Sequence, residues 1–389
     1  MKNKIKELAS NFFEEIVQIR RHLHKYPELS FKENETSKYI KNILNKWKIP
    51  YIDNIANNGI VVVLKGLDPQ FKTIALRADI DALPIIEETN CSYSSENYGV
   101  MHACGHDAHT ASLLGVLRIL HKLSNLWHGT IKFIFQPAEE MLPGGAQQMI
   151  SEGVLKNPEV DMIFAQHVFP DLEYGKVGFK SGKYMASTDE LYIKIQGIGG
   201  HAAIPEKYNN PILAASDLIL ELNRYFIKKV DNRNVFAIGY INADGSTNVI
   251  PEFVNLKGTF RALNEKFRYA SHKYMKEISN IMSKKHNVTI DFNIKVGYPC
   301  LVNDKNLTNS AIKLAQEFIG RHNVVELPVR MTAEDFSYYS EKIPSCFYRL
   351  GTGNKQKDIK HGLHTSRFNI DERSLEIGMG LMAYLAIKS

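Results

Sequence analysis

The segment from Met101 to His109 concentrates side chains that can bind a metal ion. It reads MHACGHDAH, so a thiol, three imidazoles and a carboxylate lie within nine residues. Cys104 and His106 are two residues apart, and side chains at that spacing point to the same side of an extended or loop backbone. Both can therefore bind one ion. A thiolate ligand favours zinc by its softness and leaves manganese, cobalt and nickel open.

Two adjacent carboxylates, Glu139 and Glu140, follow in the segment QPAEE. Adjacent residues point in different directions, so one carboxylate can bind metal while the other stays free to move a proton. Paired glutamates are also common in solvated surface loops. This pair, however, follows a buried apolar run and precedes the turn-forming residues PGG, a context that favours a cleft.

Three short apolar runs that indicate buried strands lead directly into acidic or histidine side chains. Ligands of open α/β sheets bind outside the carboxyl ends of the strands, so these side chains are expected to converge. Run 73–78 leads to Asp79 and Asp81. Run 130–135 leads to Glu139 and Glu140, and run 161–165 leads to His167.

The alternation in strand 73–78 and beyond puts Arg77, Asp79 and Asp81 on one face. Carboxylates there can orient metal-bound imidazoles, and a salt-bridge cluster is the simpler alternative. His167 alone would more often be a core histidine, but its place at a strand end favours a ligand. His364, in the segment HGLHTSR, is a weaker candidate on composition.

A different chemistry is open to Cys104, namely nucleophilic catalysis with His102 or His106 as the activating base. A hydrolase that relies on a thiolate has no need of paired glutamates and of His167 at strand ends. The residue pattern therefore favours the metal site.

The composition excludes several classes of protein. With 389 residues, 44% hydrophobic and 23% charged, the chain is typical of a soluble protein of two domains. Its net charge of +6 includes no basic run interleaved with aromatics, so no nucleic-acid partner is expected. No apolar run reaches the roughly 20 residues of a membrane span, and the N-terminus lacks a signal-peptide pattern. We therefore expect a cytoplasmic protein. Its four sparse cysteines argue against a disulfide framework.

The order of predicted elements indicates two domains. Strands and helices, among them helix 111–123, alternate over residues 1–182, which predicts an α/β domain with a largely parallel sheet. Residues 183–297 predict the order β-α-β-β-α-β of an inserted ferredoxin-like α+β unit, and residues 298–389 are expected to return to the first domain. The inserted unit comprises predicted strands 191–196, 235–242, 253–262 and 288–296 and helices 211–230 and 265–286.

Several segments together resemble the amidohydrolase branch of the aminoacylase and carboxypeptidase metallopeptidases from end to end. This branch includes hippurate hydrolases, auxin-conjugate hydrolases and N-acetyldiaminopimelate deacetylases. The segments are RHLHKYPEL (21–29), LRADIDALP (76–84), MHACGHD (101–107), FQPAEE (135–140), GGHA (199–202) and EDF (334–336).

The resemblance implies a zinc-peptidase-like catalytic domain with two divalent metal ions and an inserted dimerisation lid. On the lid, His201 is implied to reach a neighbouring active site and stabilise an oxyanion, while Asn248 and Arg261 are candidates for holding the substrate carboxylate. Glu139 is the implied general base. The implied metal ligands are Cys104, which bridges the ions, His106, Glu140, His167 and His364.

The reaction implied is hydrolysis of an N-acyl-L-amino acid. Segment 362–372 most resembles the deacetylases of lysine biosynthesis, so N-acetyl-L,L-diaminopimelate is the expected substrate. Glu206 and Ser366 replace a histidine and a proline of many relatives, so a broad N-acyl amino acid hydrolase or a dipeptidase stays open. A catalytically silent metal-binding scaffold is the alternative from another class. The lid sheet has an edge strand, so a homodimer or homotetramer is expected.

Overall fold

The computed structural model describes residues 1–229 and 233–389. These residues form two compact units. The first comprises Met1–Gly182, Val302–Pro328 and Asp335–Ser389, and the second comprises Lys183–Leu301 and Val329–Glu334. Within the described ranges, no helix combines the length and the apolar character needed to cross a membrane.

Nine α-helices and sixteen strands are described in these ranges. The helices are α1 (Lys2–Lys25), α2 (Asn34–Lys46), α3 (His106–Lys122), α4 (Gly145–Ser151), α5 (Pro211–Ile227), α6 (Glu265–His286), α7 (Lys305–Ile319), α8 (Ser337–Ser340) and α9 (Ser374–Lys388). The strands are β1 (Ile52–Ile55), β2 (Gly59–Lys65), β3 (Thr73–Asp79), β4 (Thr130–Gln136), β5 (Met162–Glu173), β6 (Val177–Phe179), β7 (Gly182–Met185), β8 (Asp189–Gln196), β9 (Gly200–His201), β10 (Asn234–Asn242), β11 (Val249–Ile250), β12 (Phe253–Ala262), β13 (Thr289–Val296), β14 (Leu301–Asn303), β15 (Val324–Glu326) and β16 (Ser345–Gly353).

An eight-stranded mixed sheet forms the centre of the first unit, in the order β1-β2-β4-β3-β5-β16-β6-β15. Its middle strands β4, β3, β5 and β16 are parallel neighbours. Their side chains are buried on both faces, which explains the continuous apolar runs in the sequence. The predicted α/β fold with a largely parallel sheet is confirmed.

The strand that carries His167 is longer than the sequence pattern predicts. The expected strand 161–165 ends before the histidine, whereas β5 continues to Glu173. Pairing between β3 and β5 ends at the register Arg77 to Ala165, and β5 then runs on along β16, where His167 pairs with Arg349. The polar residues after Ala165 do not end the strand because β16 still supplies its hydrogen bonds.

Helix α3 begins five residues before the predicted helix 111–123. The apolar periodicity starts at Ala111, but the helix starts at His106, after Gly105 adopts a left-handed conformation with φ of 82°. Residues 106–110 are buried although four of them are polar, because His106 and His109 lie at the site described below and Asp107 pairs with Arg20 and His24 of α1. Helices α1, α3 and α9 pack together and form much of the apolar core of this unit.

The second unit has an antiparallel sheet in the order β10-β12-β8-β13 and two helices, α5 and α6. The order β8-α5-β10-β12-α6-β13 matches the predicted ferredoxin-like pattern. The predicted helix 211–230 ends at Ile227, and its last predicted residue, Val230, lies outside the described residues. A buried ion pair joins the two layers, since Arg268 on α6 donates to Asp189 on β8 at 2.6 and 3.0 Å.

Candidate metal centre

Five side chains of the first unit form one cluster, in which four of them surround the thiol of the fifth, Cys104. Its Sγ lies 3.4 Å from Nε2 of His167 and 3.3 Å from Nε2 of His364. Oε1 of Glu140 lies 3.3 Å from Nε2 of His364 and 3.7 Å from Nε2 of His106. The thiol thus lies between two groups of potential ligands, one with His106 and His167 and one with Glu140 and His364.

Each of these side chains comes from a different element. His167 lies within β5, His106 opens α3, and Cys104 occupies the turn before α3. Glu140 follows β4, whose last residue is Gln136. The turn that carries His364 is tied to the Cys104 segment, since the His364 N–H donates to the carbonyl of Ala103 at 2.9 Å. His364 also has a positive φ of 60° and is the most exposed of the five, at 53% of its side chain.

Two carboxylates orient the imidazoles, one from Asp79 at the end of β3 and one from Asp81 just beyond it. Oδ1 of Asp81 lies 3.1 Å from Nδ1 of His106, which directs Nε2 of that ring toward Glu140. Oδ1 of Asp79 lies 2.6 Å from Nδ1 of His109, whose Nε2 accepts the Val168 N–H at 2.8 Å. His109 therefore has both nitrogens engaged, and His106 is the histidine of α3 that faces the cluster.

The contacts of Arg77 show that Asp79 has both of the roles considered from the sequence, as a member of a salt-bridge cluster and as a partner of an imidazole. The guanidinium of Arg77 donates to Asp79 at 2.6 Å and to Asp335 at 2.7 Å. Asp79 thus takes part in a buried salt-bridge cluster and also orients an imidazole. Asp81, beyond the end of β3, instead accepts from Ser30 Oγ at 2.6 Å and from the Glu140 N–H at 2.9 Å.

The protonation of the cluster indicates that it is built for cations. Burial raises the pKa of the Cys104 thiol well above its usual value, and the charges of Glu140 and Glu139 raise it further. Burial favours the neutral form of His106, but Asp79 and Asp81 outweigh this effect and raise its pKa to about 10. A thiol with a raised pKa is a poor nucleophile, so the burial and negative surroundings of Cys104 disfavour the cysteine-nucleophile alternative.

Two orphaned atoms show that a metal ion fits the cluster. Nε2 of His106 and Oε1 of Glu140 are buried and make no hydrogen bond among the described residues. Burying such atoms without a partner is costly, and a divalent ion between them would satisfy both. Thiolate, imidazole and carboxylate are the ligand types that zinc takes in proteins.

Glu139 lies beside these ligands, and its carboxylate also accepts a hydrogen bond from the loop that precedes α8. Its carboxylate is within 4.8 Å of the ligand atoms of His106 and Glu140. Its Oε1 accepts the backbone N–H of Asp335 at 3.4 Å, and the residue is 6% exposed. The paired glutamates therefore point differently, with Glu140 toward His364 and Glu139 toward the loop that precedes α8.

Residues that the sequence pattern did not single out hold the backbone around the paired glutamates. Glu33, before α2, accepts the N–H of Ala138 at 2.8 Å. Asp335 accepts the N–H of Ala146 at 2.9 Å and two donations from Gln136. Asp335 belongs to the EDF segment of the resemblance, so a signal for it existed, whereas Glu33 is an isolated glutamate in a polar stretch.

The second unit carries the three remaining predicted site residues. His201 and Asn248 are brought together by a short ribbon, in which β9 pairs with β11 and His201 opposes Val249. Nδ1 of His201 accepts the Ala203 N–H at 3.1 Å, and the side chain is exposed. Arg261 lies on β12 opposite Val235, and burial lowers its pKa.

Comparison with known proteins decides the family. Residues 75–388 match the model of peptidase family M20/M25/M40. This chain belongs to that family.

Several relatives align with nearly the whole length of this M20-family chain. N-acetyldiaminopimelate deacetylase of Bacillus subtilis is 36% identical over 95% of this chain and 97% of its own. N-acetylcysteine deacetylase of the same organism is 36% identical over 97% of both chains. An IAA-amino acid hydrolase of Arabidopsis thaliana, ILR1-like 4, is also 36% identical, over 97% of this chain and 86% of its own.

Solved structures agree with the M20 assignment. The YxeP protein of Bacillus subtilis, described as a dinuclear metal-binding peptidase of the M20 family, superposes with a TM-score of 0.81 at 34% identity. It covers 97% of this chain and 98% of its own. A structure from methicillin-resistant Staphylococcus aureus covers all of both chains with a TM-score of 0.92 at 34% identity. The predicted amidohydrolase branch is confirmed, and the chain is a metallo-amidohydrolase. Metal-dependent turnover of an N-acyl amino acid would exclude the scaffold alternative.

Proposed function

We propose that this enzyme removes the acyl group from N-acyl-L-amino acids at a two-ion centre, with N-acetyl-L,L-diaminopimelate as its preferred substrate. The observation that carries the proposal is the position of Glu139. Its carboxylate lies within 4.8 Å of the ligand atoms of His106 and Glu140, and its Oε1 accepts the Asp335 N–H at 3.4 Å.

The proposed ligands are Cys104, as the shared ligand, His106, Glu140, His167 and His364. Two divalent ions held there would supply Lewis-acid polarisation of the acyl carbonyl and would acidify water. Glu139 takes a proton from the attacking water and returns it to the leaving nitrogen, which balances the hydrolysis. Asp79 and Asp81 keep the imidazoles of His109 and His106 in place during both steps.

Residues of the second unit complete the proposed machinery. We assign to His201 the donor that stabilises the tetrahedral oxyanion, and its exposed ring is consistent with such a role. Asn248, beside His201 on the ribbon, and Arg261 are the proposed partners of the substrate carboxylate. Arg261 is half-buried, and a guanidinium that recognises a carboxylate gives both charge and geometry to binding.

The preferred acyl amino acid is the finer part of the proposal. Deacetylases of N-acetyldiaminopimelate and N-acetylcysteine are equally identical to this chain, so a broad N-acyl amino acid hydrolase is the second candidate. The hydroxyl of Ser366 donates a hydrogen bond to Glu88 at 2.9 Å. Segment 362–372, which differs from many relatives at Ser366, is therefore fixed beside the loop 85–100.

A substrate panel tests the preference. Steady-state kcat/KM is measured on metal-replete enzyme with N-acetyl-L,L-diaminopimelate, N-acetylcysteine, hippurate and a dipeptide. We expect N-acetyl-L,L-diaminopimelate to exceed each of the others by at least tenfold. Equal values across the panel would favour the broad hydrolase, and no turnover of any of them would reject the proposed function.

We further propose a homodimer through the second unit. Leu213, Leu220 and Ile227 are exposed at seven-residue spacing on α5, with exposed fractions of 58%, 49% and 68%. Strand β10 is an edge of the antiparallel sheet and carries the exposed Tyr240 and Ile241. Exposed apolar stripes and unpaired strand edges are features that association covers. Sedimentation should give a dimer, which Leu220→Glu weakens, and a monomer at all concentrations would exclude it.

A further inference from the structure

A second cluster of metal-binding atoms lies in the first unit, apart from the ligands described above. It comprises His24 near the end of α1 and two residues of the loop between β3 and α3, Glu87 and Cys91. The imidazole nitrogen, the carboxylate oxygen and the thiol sulfur all lie within 4.8 Å of one another. Nε2 of His24 is 3.1 Å from Oε1 of Glu87, and Sγ of Cys91 is 4.0 Å from that oxygen.

The cluster repeats the arrangement of the main site. There, Asp81 contacts Nδ1 of His106 and the opposite ring nitrogen faces a glutamate, with Cys104 close by. Here, Oδ2 of Asp107 lies 2.8 Å from Nδ1 of His24, and the opposite nitrogen faces Glu87. A carboxylate that holds one imidazole nitrogen while the other faces a metal is the usual surrounding of a histidine ligand.

Charge also favours a cation between His24 and Glu87. Three carboxylates meet in this region, whereas Arg20 and Arg21 supply two guanidinium groups. The carboxylates are Glu87, Asp107 and Glu372. Arg20 pairs with Asp107 at 2.7 Å, and Arg21 pairs with Glu372 at 2.6 Å. The side chains of His24 and Glu87 are 0% and 4% exposed, so the third carboxylate must be balanced where water is scarce, either by a bound cation or by a proton on His24.

The loop is folded so that its ligands face α1. Glu87 accepts the Ser95 N–H at 2.7 Å, and Ser94 closes a turn by donating its hydroxyl to the Cys91 carbonyl at 2.8 Å. The hydroxyls of Thr89 and Ser94 each lie 3.4 Å from the Cys91 sulfur. Cys91 is only half-buried, which leaves the cluster a route for an ion to enter.

We propose that His24, Glu87 and Cys91 form an accessory site for a zinc-like divalent cation, separate from the proposed catalytic ions. The nitrogen, oxygen and sulfur set suits zinc, and a hydroxyl or water would supply a fourth ligand. Binding forms bonds from the ion to the three side chains. It releases the thiol proton of Cys91, and any proton on Nε2 of His24, to solvent.

Metal counting tests the proposal without reference to turnover. Wild-type enzyme, Cys91→Ala and Glu87→Gln are loaded with zinc, passed through a desalting column and analysed for zinc per chain. Glu88→Gln serves as the matched control, because it removes an exposed neighbouring carboxylate outside the cluster. We expect both cluster variants to hold one ion fewer per chain than wild type and the control. Circular dichroism verifies that each variant is folded.

Cobalt gives a second readout. Cobalt-loaded wild type should show near-ultraviolet absorption from two cobalt-thiolate sites, those of Cys91 and Cys104. Cobalt-loaded Cys91→Ala should keep only the absorption that Cys104 contributes. Equal zinc content and equal absorption in the two proteins would overturn the proposal, and His24 would then balance the carboxylates with a proton alone. If the two-ion proposal fails, the total zinc per chain changes in every protein, but the difference in zinc between wild type and the cluster variants stays the same.

Discussion

The carboxylate of Glu33 accepts the backbone N–H of Ala138 at 2.8 Å, one residue before Glu139. Glu33 is 0% exposed, and it also accepts from the Phe31 N–H and from the side-chain amide of Asn58, both at 3.0 Å. Ala138 has a φ of 54°, which a non-glycine residue rarely adopts without support. Glu33 therefore stabilises the backbone that presents the proposed base.

Replacing Glu33 by alanine should lower kcat while leaving the metal content unchanged. The Ala138 N–H loses its acceptor, the segment relaxes, and Glu139 is displaced from the attacking water. A displacement of about 1 Å can cost about a hundredfold in rate, so we expect kcat to fall about tenfold to a hundredfold with little change in KM. Steady-state kinetics and zinc analysis of the purified variant check this.

Two further variants control the interpretation. Glu33→Gln keeps an acceptor for Ala138 and should retain most of the activity. Asn58→Ala removes a partner of the other carboxylate oxygen and leaves the Ala138 contact intact, so its kcat should stay near the wild-type value. If Glu33→Ala and Asn58→Ala lose the same activity, Glu33 has no specific role in holding the base.

Glu33 should also make the stability of the protein depend on pH. Burial, and next the charge of Asp81, raise its pKa from 4.5 to about 7. The folded protein therefore holds a proton that the unfolded chain releases, so the stabilising contribution is full below pH 4.5 and is lost as pH rises to 7. Over that window wild type should lose about 3 kcal/mol of unfolding free energy relative to Glu33→Gln.

Urea unfolding of the metal-free proteins at pH 4.5 and at pH 7.5 measures this difference. Glutamine does not titrate, and all other groups cancel in the comparison. A difference that stays constant between the two pH values would show that Glu33 ionises normally in the folded protein.

The sequence predicts the fold well where burial is simple. The middle strands β3 and β4 are buried on both faces, and their apolar runs place them within one residue of the observed bounds. The pattern fails at α3 and β5, where His106 and His167 are polar residues inside regular structure. Tertiary contacts at the site satisfy these side chains, and periodicity alone does not contain that information.

The site is likewise predictable in part. Asp79 ends β3, Glu140 follows β4, and His167 lies in β5 just after its pairing with β3 ends, so their convergence follows from the topology. Glu33 and His364 come from loops far away in the sequence, and their backbone contacts with Ala138 and Ala103 follow no local pattern. Such loop contacts depend on the folded chain as a whole.

Removing metal should destabilise the enzyme as well as inactivate it. Without a cation, Nε2 of His106 and Oε1 of Glu140 stay buried without a hydrogen-bond partner in the part of the chain that the structure describes. Ligand binding stabilises a protein by about 2.7 kcal/mol at a concentration 100 times its Kd. Chelated protein should unfold at a lower temperature, and added zinc should restore both midpoint and turnover. Cys104→Ala should respond less to zinc, while Cys300→Ala, a buried thiol of the second unit, should respond as wild type does.

His201→Ala should lower kcat/KM by about a hundredfold or more, the usual cost of one oxyanion donor. Lys207→Ala, an exposed neighbour, is the control. Mixing His201→Ala with Glu139→Ala should restore activity if each site uses a histidine from the partner chain. If verified mixed dimers recover no activity, His201 acts in the active site of its own chain. If His201→Ala keeps full activity, His201 has no part in the mechanism.

The most direct test of the account measures zinc content and N-acetyl-amino acid turnover together in Glu139→Ala. The account predicts wild-type zinc content, because Glu139 is not among the proposed ligands, and a loss of about 10² to 10⁴ in kcat, the typical contribution of a general base. Near-native turnover in this variant, or loss of its metal, would contradict the assignment of Glu139 as a base that stands outside the ligand set.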